Sequence, residues 1–353
     1  MRTRDVFNAR AIAMVHESVA SNQLPYLGTG LFPPRKKMGL DLRWIKTAKG
    51  LPVSLSPSAF DTKSTIRSRE GFEIAETQMA FFKESMLLRE QDEQDIMRVQ
   101  ESTDPYAREV LERIYDDAET LVAGADVVPE RMRMQLLSNP NGNPSISIAA
   151  NGATYSYNYD PDNSYRTNNF KVLSGTSKWS DHKNSDPIKD IMDVMDTVEE
   201  STGVKPTRIL MSKATMGHLK ANENIRAYIL SIAGANVVMN DNRVKEVFRI
   251  ELGVDIIIYN KQFIDDNGVA QKFFPDGIVT ILPDGPLGST WYGCTPEERT
   301  GVLNPAADVA IVNTGVAISV TISEDPVQTK TTVSEIVLPS FERMNQTFTL
   351  VAY

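Results

Sequence analysis

With 353 residues the chain is long enough for two or three domains and a sizeable core. Its 41% apolar and 24% charged residues are those of an ordinary soluble globular protein, and its net charge of −9 argues against a dedicated nucleic-acid binder, which needs a basic surface. The single cysteine, Cys294, excludes an intramolecular disulfide and a cysteine-based metal cluster.

The N-terminal stretch has no continuous apolar core and so no signal peptide; Asp5–Ser21 reads as a short amphipathic helix. No run approaches the roughly 20 apolar residues that cross a bilayer, and no membrane partner is expected. Residues 1–37 read as an extended arm, ending in a Gly- and Pro-rich stretch that regular elements do not tolerate.

A basic ribbon follows, with strand-like runs at Leu40–Ala48 and Leu51–Ile66. From Pro33 to Arg69 there are nine Lys/Arg against two Asp/Glu; from Glu70 to Glu130 there are seventeen Asp/Glu against five Lys/Arg. Such blocks point to contacts, within the molecule or between copies. The acidic block reads as helical. Glu76–Glu101 carries Met79, Phe82 and Met86 at helical spacing. A second helix has Asp104 as N-cap, Pro105 at its first position, a stripe from Ala107 to Val122 and Gly124 at its end.

Ser145–Ala150 and Thr154–Asp160 flank Asn151-Gly152, a strong hairpin turn. Asp186-Pro187 opens a capped helix closed by Gly203. Arg208–Met211, Val254–Tyr259 and Gly277–Leu282 read as strands, with a short helix capped by Ser212. This interleaving predicts a compact α/β unit over about 161–315. Val316–Ile322 alternates cleanly, and Val327–Leu338 and Gln346–Tyr353 are expected to continue that sheet.

No constellation for catalysis emerges, so neither an enzyme nor any cofactor is expected. His16, His182 and His218 are far apart and lack metal-ligand spacing; they read as isolated solvent-facing or capping residues. Cys294 has no adjacent base and reads as a buried structural thiol. Asp160, Asp162 and Ser164 imitate the start of a calcium loop, but Tyr165 stands where Gly is needed and Lys171 where Glu is, leaving a polar turn. Asp190, Asp193 and Asp196 read as a solvated helix face. Gly28-Thr29-Gly30 runs into Pro33-Pro34, not a helix, and is no phosphate cradle. Tyr155, Tyr157, Tyr159 and Tyr165 could form a stacking platform for bases or sugars, but without surrounding cations cross-strand packing is preferred.

An isolated two-stranded ribbon is marginal in water, so the basic arm needs a surface to lie on. A sister subunit is the economical source, because every copy then brings both arm and acidic bed; such a head-to-tail contact builds rings or lattices. The alternative is pairing of ribbon and bed within one subunit. The contact residues expected on the arm are Arg35, Lys36, Lys37, Arg43, Lys46, Lys49, Lys63, Arg67 and Arg69, and on the acidic side Glu90, Asp92, Glu93 and Asp95.

The order of parts resembles the major capsid proteins of tailed bacteriophages, in particular the lambda-type family, major capsid protein E. Local likeness lies in the Pro/Gly-rich run Leu282–Glu297, which leads to the pair Tyr292-Gly293, and in the closing strand Gln346–Tyr353. The resemblance implies a mixed α+β coat fold of the Hong Kong 97 type. Its parts would be an N-terminal arm (1–37), an E-loop (38–75), a peripheral P-domain with the spine helix (76–160 and 316–353) and an axial A-domain (161–315). It further implies hexamers and pentamers forming an icosahedral head shell around viral double-stranded DNA, assembled in the host cytoplasm. A separate scaffolding protein is expected, because the chain starts almost directly with the arm. A portal and a decoration protein are further implied partners. No acid–Lys–Asn trio can be matched, so no isopeptide crosslink is expected. The competing readings are an encapsulin-like compartment shell and a monomeric ligand- or carbohydrate-binding protein.

Overall fold

A computed structural model describes residues 8–20, 25–46, 73–88, 90, 105–150, 153–233, 238–265, 267–304, 307–324 and 327–353. In chain order, helix α1 (Ala9–Ala20) and a single helical turn at Leu27–Leu31 are followed by strands β1 (Pro34–Lys36), β2 (Asp41–Lys46), β3 (Glu73–Gln78) and β4 (Ala80–Leu88). Then come helix α2 (Pro105–Leu137), strands β5 (Ser145–Ala150), β6 (Ala153–Asn158) and β7 (Phe170–Val172), and helix α3 (Pro187–Thr202). Strand β8 (Arg208–Met211) leads to helices α4 (Lys213–Ala221), α5 (Glu223–Ala233) and α6 (Asp241–Glu251). Strands β9 (Asp255–Ile258), β10 (Gln262–Ile264), β11 (Ala270–Lys272), β12 (Ile278–Leu282) and β13 (Ser289–Tyr292) precede helix α7 (Pro296–Leu303). The chain continues through β14 (Asp308–Val312), β15 (Val316–Glu324), β16 (Val327–Ser340) and β17 (Phe348–Val351).

Two compact units form, one from 1–42, 76–132 and 289–340, the other from 43–75, 133–288 and 341–353. They cut across the ranges 76–160, 161–315 and 316–353 set out above. The first unit is organised by β16, whose 14 residues take β15 along one side and β4, then β13, along the other. β14 and β1 complete a six-stranded sheet. One core joins Ala9, Ile12 and Ala13 of α1, Ala118, Leu121 and Val122 of α2, and Val312, Val316, Ile318, Val320 and Val333 of the sheet. Val316, Ile318 and Val320 of β15 reach this core because side chains alternate along a strand, whereas Ile322 further along is exposed.

The second unit holds a mixed sheet in the order β7-β17-β12-β8-β9. Its core includes Trp179, Ile191 of α3, Leu219 of α4, Ile225 of α5 and Phe248 of α6, packed with Val279, Ile281, Phe348 and Leu350 of the strands. The expected caps are present: the Asp186 carboxylate accepts from Lys189 N–H, the Ser212 hydroxyl accepts from Thr215 N–H, and Gly203 closes α3 at φ 70°. In the same unit, Thr280 Oγ1 donates to the carbonyl of Leu137, one of the carbonyls that the end of α2 leaves without a helical partner. β5 and β6 pair in the predicted hairpin, with Ala150 opposite Ala153.

Four expectations are corrected. Leu27–Leu31 of the Gly- and Pro-rich stretch forms one helical turn: burial of Leu31 and Phe32 and the hydrogen bond that Gly28 N–H donates to Glu130 Oε1 offset the low helix propensity of its two glycines. Glu76–Gln78 and Ala80–Leu88 are strand, not helix: nine residues of β4 pair in register with β16, and this tertiary pairing overrides the helical spacing of Met79, Phe82 and Met86; residues 89 and 91–104 lie outside the described part. α2 does not stop at Gly124 but runs 33 residues to Leu137, through Pro129. Glycine costs a helix only about 1 kcal/mol against alanine, and Met132, Met134, Leu136 and Leu137 beyond it are buried. The closing strand does not continue the β15–β16 sheet; β17 joins β7 and β12.

Candidate assembly interface

Some of the expected contact residues lie within the described part of the chain and some outside it. Lys49, Lys63, Arg67, Arg69, Asp92, Glu93 and Asp95 lie outside the described residues, and Glu90 is exposed. Arg35, Lys36 and Lys37 lie on or next to β1, which pairs in parallel with β13. There the guanidinium of Arg35 lies 5.7 Å from the centre of the Trp291 ring. Lys36 Nζ is 2.6 Å from Glu298 of α7, and Lys37 Nζ donates to the carbonyl of Asp41. Arg35 and Lys36 therefore bind the arm to β13 and α7 of its own chain, while Lys37 bonds back to the arm's own continuation. Arg43 and Lys46 belong to β2, which pairs with β3 in a separate two-stranded ribbon. Leu42 and Trp44 of this ribbon strand are buried, with the Trp44 ring 5.4 Å from that of Tyr159. The strand that returns beside β2 is thus Glu73–Gln78, while Leu51–Ile66 lies outside the described residues.

The Pro/Gly-rich run Leu282–Glu297 is held at both of its ends. Arg208 donates from Nε and Nη2 to the carbonyl of Pro283 and from Nη2 to that of Gly285; Arg343 Nη1 donates to the carbonyls of Asp284 and Pro286. A four-residue turn thus has its carbonyls satisfied by two guanidiniums. Further on, β13 pairs with β16, and Gly293 N–H donates to the carbonyl of Ile336. A Cβ on Gly293 would stand 2.6 Å from Ile336 Cγ2, so only glycine fits. Thr295 caps α7, and Glu297 in its first turn accepts from Lys83 Nζ of β4 (2.5 Å) and Ser334 Oγ of β16 (2.6 Å). Burial pushes the Glu297 carboxyl up, but these hydrogen bonds outweigh it and hold the group below the usual carboxylate range. No sequence pattern announced this three-element tie, because its members are 214 and 37 residues apart.

The residues weighed for chemistry are accounted for by packing. Asp160 accepts from the N–H groups of Tyr165 and Arg166 and from Ser164 Oγ, so its carboxylate organises a turn. Tyr159 and Tyr165 are buried, while Tyr155 and Tyr157 stack on each other at 6.4 Å. Asp190 corrects the picture of a solvated face: it accepts from the Trp179 indole, and burial raises its carboxyl. Cys294 is half-buried, its thiol pushed up by burial and by Glu298. The histidines are not isolated. His16 is buried, and His182 Nε2 lies 2.9 Å from His218 Nδ1, a hydrogen bond sharing one proton.

Residues 9–352 match the family model of phage major capsid protein E. The chain belongs to that family. This phage major capsid protein is a coat protein of the head shell, and its place is the virion capsid. It is similar in structure to a protein described as a prophage capsid protein of E. coli CFT073, with 14% identity, 98% and 99% of the two chains covered and a TM-score of 0.59. A phage-related protein from Bordetella bronchiseptica RB50 shares 14% identity over 96% and 95% of the chains, with a TM-score of 0.52. The capsid of cyanophage A-1(L) gives 13%, 93% and 92%, and 0.51. At these identities the likeness is one of fold, the Hong Kong 97-type coat fold. No curated protein sequence matches the chain, and no described helix is long and apolar enough to cross a membrane.

Proposed function

We propose that the coat protein assembles as hexamers and pentamers into an icosahedral shell enclosing double-stranded DNA, and that it has no enzymatic role. In this reading 1–37 is the N-terminal arm, 38–75 the E-loop, 76–160 with 316–353 the P-domain and 161–315 the A-domain. α2 is the spine. The observation that carries the reading is the two-stranded β2–β3 ribbon at the root of a strongly basic segment, in a chain of this family. A ribbon of two strands does not stabilise itself in water, and a neighbouring subunit supplies what it lacks.

Arg43, Lys46, Lys49, Lys63, Arg67 and Arg69 are the cations offered to the neighbour, with Glu90, Asp92, Glu93 and Asp95 as their counterparts. Exposed pairs contribute only about 0–1 kcal/mol each, so they set register while many contacts together hold the shell. A separate scaffolding protein, a portal and a decoration protein complete the partner set. An overall negative charge suits a wall that encloses DNA without gripping it.

Electron microscopy with sizing of the purified protein, alone and with its scaffold, tests this. Shells or rings are expected, and a persistent monomer of 39.3 kDa would overturn the reading. Reversing Arg67 and Arg69 to Glu should abolish assembly and leave the subunit folded by circular dichroism; intact shells from that variant would remove the role given to the ribbon.

A further inference from the structure

Helix α1 is fastened to the body of its unit by small contacts and one unusual one. Among its described residues Ala9, Ile12 and Ala13 are the buried apolar ones, and of these Ile12 alone is large. At its N-terminus, Ala9 N–H donates to both carboxylate oxygens of Asp308 on β14 (3.2 and 3.3 Å). One turn beyond Ile12, His16 is 2% exposed. Its Nε2 lies 3.2 Å from Asp126 Oδ2 and its Nδ1 lies 3.6 Å from Glu119 Oε1, two carboxylates spaced two turns apart along α2. Neither ring nitrogen meets full hydrogen-bond geometry, and the protonated ring forms an ion pair with Asp126, with Glu119 beyond it.

The surroundings on every packed side favour a cation at this point. From α2 come Glu119 and Asp126. From the β14–β15 turn, Asn313, held at φ 51°, donates from Nδ2 to Asp126 Oδ1 at 2.7 Å and fixes that carboxylate. Asp308 stands at the start of α1. The Tyr26 hydroxyl, raised to about 12 by burial and by Asp126 and Glu130, stays protonated and adds no charge. On α1 itself Arg10 and Glu17 are exposed. Asp126, and behind it Glu119, raise the His16 imidazole above its ordinary value against the opposing effect of burial.

We propose that His16 is a proton-operated latch that fastens the N-terminal helix to α2. As an imidazolium it cancels two carboxylates in a site with little water. As a neutral ring it leaves both of them without their counter-cation and keeps at least one of its own nitrogens from donating, so docking of α1 weakens. A histidine raised in the docked state contributes docking energy that is complete below its ordinary value of about 6.5 and is lost as pH rises through the raised value. The inference rests on contacts within one chain and needs no shell.

Hydrogen exchange of residues 9–20 in the purified full-length protein, corrected for intrinsic rates, reads the latch directly. Between about pH 6 and pH 8.5 the protection of α1 should fall, by up to about tenfold per pH unit as one proton is lost, while that of α3 holds. Histidine resonances should show His16 titrating above about 6.5. Asp126→Asn should move the step to lower pH, and His16→Gln should remove it. Equal protection of α1 at both pH values, a His16 titrating at or below its ordinary value, or a step that survives His16→Gln would each overturn the proposal.

Discussion

Glu297 and Gly293 show how single residues hold the sheet of the first unit. Glu297 is tied to β4 and β16 by an ammonium and a hydroxyl, and removing one partner of such a cluster strands the others. Glu297→Ala should destabilise the protein by about 1–3 kcal/mol, seen as a lower denaturant midpoint with an unchanged slope. Gly293→Ala acts by volume. Its added methyl meets Cγ2 and, at 3.0 Å, the Cβ of Ile336, which a β-branched residue on a paired strand cannot move. The expected cost is about 1–3 kcal/mol, and Ile336→Ala in the same chain should recover part of it. A purely additive double mutant would show that the two residues do not collide.

Among the elements, α2 makes the complementary case. Gly124 sits inside the helix with nothing within 4 Å of where a Cβ would stand. Gly124→Ala should therefore stabilise by about 0.5–1 kcal/mol, as a raised thermal midpoint followed by helical circular dichroism. The elements also show which signals a sequence carries. The Asp186 and Gly203 ends of α3, the Ser212 cap and the pairing of β5 with β6 rest on local devices, written within a few residues, and they are legible. β4 was not, because Met79, Phe82 and Met86 satisfy a helical period and only pairing with residues some 250 positions later decides otherwise. β17 was recognised as a strand but assigned to the wrong sheet, since alternation names a strand without naming its neighbour. At the interface, charge blocks marked the arm. Nothing local could show that Arg35, Lys36 and Lys37 would be spent on Trp291, Glu298 and Asp41 of their own chain.

For the whole molecule, the histidines give the two units opposite responses to acid. His16 strengthens the first unit at low pH by the latch described above. In the second, burial and the neighbouring His182 lower His218, and a pair sharing one proton cannot hold two without separating. A histidine lowered in the folded state contributes its stability in full above about 6.5 and loses it as pH falls toward the lowered value. Exchange protection of α4 should thus decline between about pH 7 and pH 5, and His182→Gln should flatten that decline. Parallel pH profiles for α1 and α4 would contradict this assignment.

The place of β17 between β7 and β12 has a consequence for synthesis. β7, at Phe170–Val172, pairs with Phe348–Val351, so a nascent chain emerging from the ribosome carries an unfinished sheet for about half its length. Chains grow from the N-terminus and distant pairings close late. A subunit stalled before Phe348 lacks the strand that joins β7 to β12, so a truncated chain cannot complete this sheet.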